Sequence, residues 1–230
     1  KAFISPETNI VTDGEGITHS SAHANFFALA FGLVPDKNIK PVLDHLHIRG
    51  MACSVYGSQF LLDGLFAAGD ADYAIKLITS NEKRSWSNML REGATMTMEA
   101  WGQEYKPNQD WGHAWGAAPA NVIARHIVGI KPLKPAFEEF EIKPQIGKLQ
   151  DLRYKHPTSR GAITVKIMHD STMLQLDAEI PKGTKAQIYL PFNSSKGKVK
   201  QNGKAIKTIY QTGYFVIKNI TAGKYSFEVQ

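Results

Sequence analysis

Gly129-Ile130-Lys131-Pro132-Leu133-Lys134-Pro135 is the stretch on which the fold turns, because the periodicity of the chain changes across it. Upstream, apolar residues recur every three to four positions, the spacing of one helix face; downstream they alternate residue by residue, the spacing of a half-buried strand. Two prolines three residues apart fix φ and stiffen the link. Lys131-Pro132-Leu133-Lys134-Pro135 therefore reads as a stiff connector between a helical domain, residues 1–130, and a strand domain, residues 131–230.

Working backwards, Ala24, Phe27, Ala28 and Phe31 share a face, with Ser20 or Ser21 as N-cap and Gly32 and Pro35 ending the run. Asp36 or Asn38 starts a second helix through Ile39, Val42, Leu43 and Leu46, and Gly50 lies where a C-terminal glycine belongs. Ser54 opens a third segment carrying Tyr56, Phe60, Leu61, Leu65 and Phe66 to Gly69, and Asp70 caps a fourth with Tyr73, Ala74, Leu77 and Ile78. Shorter helices are expected at Ser87–Arg91 and from about His113 to Val128, with Pro119 in the first turns or at a kink. These helices group into about three hairpins joined by tight turns, an array that either stacks as a solenoid or closes into a ring. It starts abruptly at residue 1 without a polar capping element, so half of a helical domain is expected.

Working forwards, Ile163, Val165 and Ile167 alternate, as do Leu174 to Ile180, then Ala186, Ile188 and Leu190, and finally Tyr225, Phe227 and Val229. Turn residues fall between them at Asp170-Ser171, Pro181-Lys182-Gly183, Asn193-Ser194-Ser195, Asn202-Gly203 and Ala222-Gly223. Short strands with regular punctuation imply an antiparallel β-sandwich.

The net charge of +6 is divided unequally. Residues 1–130 hold 10 Lys and Arg against 13 Asp and Glu, whereas residues 131–230 hold 17 against 8. The lysines of the second half, among them Lys182, Lys185, Lys196, Lys198 and Lys200, are scattered singly through strands, where they solubilise a sheet and protect its edges rather than form a nucleic-acid patch. No run approaches the roughly 18 apolar residues of a membrane span, and the compartment is left open. A single cysteine, Cys53, excludes an internal disulfide and reads as a small buried thiol.

Chemistry concentrates between Trp86 and Trp115, where four tryptophans, a carboxylate and a histidine share a polar, glycine-punctuated loop. Glu99 follows the uncharged run Gly93-Ala94-Thr95-Met96-Thr97-Met98, a setting in which desolvation would favour its protonated form, as in a tuned general base. Indole faces beside carboxylates and amides suit a sugar ring, whose C–H faces stack on aromatics while its hydroxyls need polar partners. The plainer reading of Glu99 is a solvated loop acid. His19 and His23 have the i, i+4 spacing of a zinc pair, but Ser20 replaces the glutamate of a metalloprotease and no third ligand is evident. His45 and His47, two apart, do not face together. Nucleotide-binding glycine loops and a Gly-x-Ser-x-Gly elbow are absent. No cofactor and no metal are expected.

His19-Ser20-Ser21-Ala22-His23-Ala24-Asn25, Gly93-Ala94-Thr95 followed by Glu99, and Asp110-Trp111-Gly112-His113 occur in the order found in bacterial α-L-rhamnosidases, and on these residues the chain resembles that family of inverting glycoside hydrolases. Ile130-Lys131-Pro132, Ala178-Glu179-Ile180-Pro181 and Gly183-Thr184 extend the resemblance over nearly the whole chain. It implies the second half of an (α/α)6 toroid followed by a C-terminal β-sandwich, acting on a terminal rhamnose of an oligosaccharide or glycoside. It also implies Glu99 as general base, His113 as a hydrogen-bonding partner of the sugar and Trp101 as a stacking wall. The general acid of the family lies in an earlier acidic motif that has no match before Glu99, so the chain alone is expected to be an inactive fragment. An apolar face along Phe26, Phe27, Phe31 or Phe60 is expected to pack against the missing N-terminal part of the same enzyme or a second copy. The competing reading is a non-catalytic carbohydrate-binding or interaction module that presents its tryptophans as a platform, and the two differ in whether Glu99 lines a hollow.

Overall fold

A computed structural model describes residues 2–170 and 172–230, in two compact units, Lys1–Val122 and Ile123–Gln230. The first is helical: α1 (Ala22–Ala30), α2 (Asp36–Arg49), α3 (Ser58–Ala67), α4 (Ala71–Ile78), α5 (Trp86–Arg91) and α6 (Ala118–Val122), with a 3-10 turn at Ala114–Gly116. Helix α1 packs on α2 and α3, and α3 packs on α4 and α6, so α3 is the hub. The α1–α3 approach depends on Gly64, where a β-carbon would meet the Phe26 carbonyl at 3.1 Å and the Ala30 nitrogen at 3.2 Å. Phe26, Leu61, Leu62, Leu65 and Phe66 fill the interior, each burial stabilising by about 1.5–3 kcal/mol.

The caps follow local chemistry. Ser21, not Ser20, is the N-cap of α1, its hydroxyl accepting from the Ala24 N–H at 3.1 Å. The Ser20 hydroxyl instead donates to the Val11 carbonyl. Gly50 ends α2 at φ 59°, its N–H donating to the Leu46 carbonyl. Asp70 precedes α4 but makes no cap bond, because its carboxylate is engaged by Nε2 of His47 at 2.5 Å. Buried Asn25 ties the N-terminal segment down, accepting from the Val11 N–H at 2.9 Å and donating to the Val11 and Ser21 carbonyls. The expected apolar face is only partly exposed: Phe26 is fully buried, while Phe31 is 62% exposed and Phe27 and Phe60 are half-buried.

The second unit is built from β1 (Ile130–Pro132), β2 (Glu139–Ile142), β3 (Asp151–His156), β4 (Ile163–His169), β5 (Leu174–Ile180), β6 (Lys185–Pro191), β7 (Val199–Gln201), β8 (Lys204–Ala205), β9 (Ile209–Gln211), β10 (Tyr214–Ile220) and β11 (Gly223–Val229). One sheet has the order β1-β2-β6-β10-β9 and the other β3-β4-β5-β11-β7-β8. All described pairs are antiparallel except β2 with β6, which are parallel. The alternating residues read from the sequence, Ile163, Val165, Ile167, Leu174, Leu176, Ile188, Leu190, Phe227 and Val229, form the shared core. At the expected Asp170-Ser171 turn, the Asp170 carboxylate accepts from the Thr172 and Met173 N–H groups; Ser171 lies outside the described residues. Asn202 and Gly203, at φ 50° and 77°, turn β7 into β8.

The seam differs from its expected form in two ways. The division into compact units falls after Val122, eight residues before the end of the expected first domain. Residues Ile123–Ile127 continue as a π-helical turn, but Val128 and Ile130 belong to the sandwich core and Ile123 packs on it, so helical spacing outlasts the helical unit. Lys131 and Pro132, expected in the connector, lie instead in the edge strand β1, where a proline without an N–H is tolerated. Gly129 makes the strand entry possible: at φ 78°, a β-carbon there would lie 2.0 Å from the Lys143 carbonyl oxygen.

Candidate functional site

The loop between α5 and α6 is held by its own backbone. The Glu99 N–H donates to the Asp110 carbonyl at 3.0 Å, and the His113 N–H donates to the Thr97 carbonyl at 2.7 Å. The Thr97 hydroxyl returns a bond to the His113 carbonyl at 2.9 Å, and the Ala100 N–H donates to Gln109 Oε1 at 2.9 Å. Residues 97–100 and 109–113 thus lie side by side although no regular strand forms. Two indoles anchor this pair of segments: Trp101 Nε1–H donates to the Cys53 carbonyl, and Trp86 Nε1–H to the Gly116 carbonyl, each at 2.8 Å. The rings of Trp86 and Trp101 meet edge to face at 5.0 Å.

A hollow of about 550 Å³ opens over this loop, and Glu99, Trp101, Tyr105, Lys106 and Trp115 line it together with His23 and Arg84. Its mouth and walls are mostly apolar, and Glu99 is its one carboxylate among the described residues. The Glu99 side chain is 15% exposed. Lys106 Nζ donates to Oε1, and the Asp110 N–H donates to Oε2 at 3.2 Å. These two bonds, the lysine's first, hold the carboxyl below its ordinary value of 4.5. The expectation of a desolvated, proton-retaining acid is therefore corrected: the uncharged run before Glu99 is not its surroundings, because the loop folds a cation back onto it. An ionised carboxylate is the competent state of a general base. Each oxygen accepts one bond and has a second lone pair free for a water.

The other expected residues take different positions. Trp101 lines the hollow but is only 2% exposed, with its indole N–H committed to Cys53. Trp115 is 42% exposed on the same hollow, and its Nε1–H donates to the Glu99 carbonyl at 3.2 Å. His113 is not among the residues that line the hollow; its ring lies tilted against Trp115 with the centres 4.1 Å apart, and its Nδ1 is 3.5 Å from the Asp110 carboxylate. His113 therefore packs against the aromatic beside Glu99. Cys53 is buried, and desolvation pushes its thiol up to about 12, leaving it inert as a nucleophile. Lys106, Tyr105 and Arg84 were not legible as site residues: none shares a periodic face or motif with Glu99, and only the return of the loop brings them there. No group of three or more His, Cys, Asp or Glu that could hold a metal occurs among the described residues. No described helix is long and apolar enough to cross a membrane.

A family model described as the bacterial alpha-L-rhamnosidase 6 hairpin glycosidase domain matches residues 1–127, and one described as the bacterial alpha-L-rhamnosidase C-terminal domain matches residues 129–205. An alpha-L-rhamnosidase of Alteromonas sp. (strain LOR) is 26% identical over 211 residues, covering 84% of this chain and 22% of that protein. Another, of Formosa agariphila, is 24% identical over 185 residues, covering 75% and 19%. The chain spans about a fifth of the length of these curated relatives. Among solved structures, the alpha-L-rhamnosidase of Dictyoglumus thermophilum superposes with a TM-score of 0.85 at 19% identity, over 100% of this chain and 27% of that one. That of Streptomyces avermitilis, complexed with L-rhamnose, gives 0.80 at 19% identity over 96% and 22%. At such identities the structural likeness speaks for the fold, a helical-hairpin toroid portion followed by a β-sandwich.

Proposed function

The chain belongs to the bacterial α-L-rhamnosidase family, and from that premise we propose that it supplies the general base and part of the sugar site for inverting hydrolysis of a terminal α-L-rhamnose. The observation that carries this reading is Glu99: an ionised carboxylate in a concave, aromatic-walled hollow, with one free lone pair on each oxygen. A water hydrogen-bonded to Glu99 loses its proton to the carboxylate as its oxygen attacks the anomeric carbon from the face opposite the leaving group. The glycosidic oxygen departs with a proton from a general acid. In inverting enzymes the two carboxyls stand roughly 6.5–9.5 Å apart, which leaves room for that water. Because Glu99 is the one carboxylate among the described lining residues, we assign the acid to sequence outside this chain. Trp115 offers the sugar an aromatic face, Trp101 forms the floor beneath it, and His113 holds Trp115 in place.

We assign the aromatic row Phe31, Phe60 and Tyr56 to contact with further hairpins of the ring. The rings follow one another at 6.0 and 5.8 Å, with Phe31 and Tyr56 well exposed. The family domain is described as having six hairpins, and the six helices α1–α6, among which α1 packs on α2 and α3 on α4, would supply at most three. A flat tryptophan platform, the competing binding-module reading, is disfavoured by the concave setting of Glu99.

The test is hydrolysis of an aryl rhamnoside by the longest form of the protein that carries these residues. Glu99→Gln is expected to abolish turnover while rhamnose binding persists. Unchanged turnover would refute the assignment.

A further inference from the structure

Gln109 is the one buried polar or charged residue among those described between α5 and α6, 6% exposed, and it is not among the residues that line the Glu99 hollow. Packing alone does not account for it. Its Nε2 is buried without a hydrogen-bond partner among the described residues, which is destabilising, and an apolar side chain of similar length would avoid that loss. What the amide supplies is an acceptor: Oε1 takes the Ala100 N–H at 2.9 Å. Successive N–H groups of an extended strand point to opposite sides, yet those of Glu99 and Ala100 both end on Gln109-Asp110, the first on the Asp110 carbonyl at 3.0 Å and the second on the Gln109 side chain. The chain bends at Glu99 and Ala100, and the glutamine stands in for the carbonyl that a regular ladder would offer. The main chain of Gln109 closes the other side of the loop, its N–H donating to the Lys106 carbonyl at 3.1 Å. Gln109 is thus bonded to Ala100 and to Lys106, and it precedes Asp110 directly. Lys106 Nζ and the Asp110 N–H are the two donors that engage the Glu99 carboxylate.

We propose that Gln109 is a positioning residue for the general base: its side-chain amide pins Ala100 and its main chain pins Lys106, so that the Lys106 ammonium and the Asp110 N–H each meet one oxygen of Glu99. The inference deepens the reading of Glu99 given above and rests on it. Gln109 acts through Glu99 and not on the sugar, since it does not line the hollow. Without the bond to Ala100, the Glu99 segment parts from residues 109 and 110, and the carboxylate loses the donors that favour its charged form. A base displaced in this way also loses its alignment with the attacking water.

The pH profile of kcat/KM on an aryl rhamnoside tests it, with kcat and KM measured separately, on the longest form of the protein that carries these residues. Gln109→Met fills the same space without an acceptor, and Gln109→Asn keeps the amide but is one methylene too short to reach the Ala100 N–H. Both are expected to move the acid limb to higher pH and to lower kcat on the order of 10-fold to 100-fold while KM stays unchanged. Gly129→Ala, a destabilising change in the other unit, should lower Tm and leave the limb in place, which separates positioning from a general loss of stability. An unmoved limb in whichever Gln109 variant melts cooperatively overturns the proposal. So does a rise in KM at unchanged kcat, a limb that Gly129→Ala moves equally, or loss of cooperative melting in both Gln109 variants, which would make the residue structural. Retained turnover in Glu99→Gln brings down the general-base reading and this proposal with it. Loss of turnover in Glu99→Gln beside an unmoved limb in the Gln109 variants removes the positioning role alone.

Discussion

Replacing Trp101 by phenylalanine separates a structural indole from a sugar-stacking one. The indole is 2% exposed, and its N–H is paired with the carbonyl of Cys53, itself buried. Phenylalanine keeps an aromatic ring but leaves that carbonyl without a donor, a loss of about 1–3 kcal/mol. The missing pyrrole portion corresponds to roughly two buried methylene equivalents, about 1–2 kcal/mol. Together the change should cost about 2–5 kcal/mol. At roughly 4 °C per kcal/mol for a unit of this size, Tm should fall by about 8–20 °C. Differential scanning calorimetry of Trp101→Phe beside Trp115→Ala provides the assay. The first should melt early, and the second, whose ring is 42% exposed, should melt near the parent while losing sugar affinity. A Trp101→Phe transition within about 1 °C of the parent would refute the burial argument.

Removing the cation from Glu99 should move its ionisation. Lys106→Gln takes away the largest influence holding that carboxyl low, so the acid limb of the pH profile of kcat/KM on an aryl rhamnoside should move to higher pH; an unmoved limb would contradict the role given to Lys106. Asp13 is held down to about 2 by the Ser21 hydroxyl and N–H and by His19. A depressed acid contributes stability above its ordinary value of 3.8 that is lost as pH falls toward 2. Asp13→Asn should therefore lower the urea midpoint at neutral pH, and the difference should vanish near pH 2; a pH-independent difference would contradict this. Gly129→Ala places a β-carbon 2.0 Å from the Lys143 carbonyl oxygen in a left-handed conformation. It should destabilise the sandwich unit by more than about 1 kcal/mol, measured by chemical denaturation, and a neutral effect would contradict the tight strand entry.

The architecture was legible because two periodicities survive in the sequence without needing tertiary context. Helical spacing in α2–α4 and two-residue alternation in β4, β5, β6 and β11 each report the face that meets the core, whereas in α1 the expected face of Ala24, Phe27, Ala28 and Phe31 gives way to one carrying Ala22, Asn25, Phe26 and Leu29. What escaped was set by partners distant in sequence. Asp70 has the right type and place for a helix cap, yet His47, 23 residues away, takes its carboxylate. β1 and β2 carry too few residues for alternation to register, and their pairing depends on the close approach at Gly129. At the site, Glu99 is singled out by its motif, but the direction in which its ionisation is shifted is not legible, because Lys106 follows it by seven residues in a loop without periodicity. Trp101 and Trp115 are equivalent in sequence and differ only in which one the loop buries.

Chemical rescue of Glu99→Ala tests the central claim most directly. Azide needs no base to attack the anomeric carbon of an aryl rhamnoside; the anomeric carbon–oxygen bond breaks as the carbon–nitrogen bond forms, and the aryloxy oxygen leaves as the phenol with the general acid's proton. Turnover of the variant in water should fall by about 10²–10⁴-fold, and sodium azide should restore it, yielding rhamnosyl azide of inverted anomeric configuration. A Glu99→Ala protein that hydrolyses the aryl rhamnoside at the parent rate without azide would contradict the account.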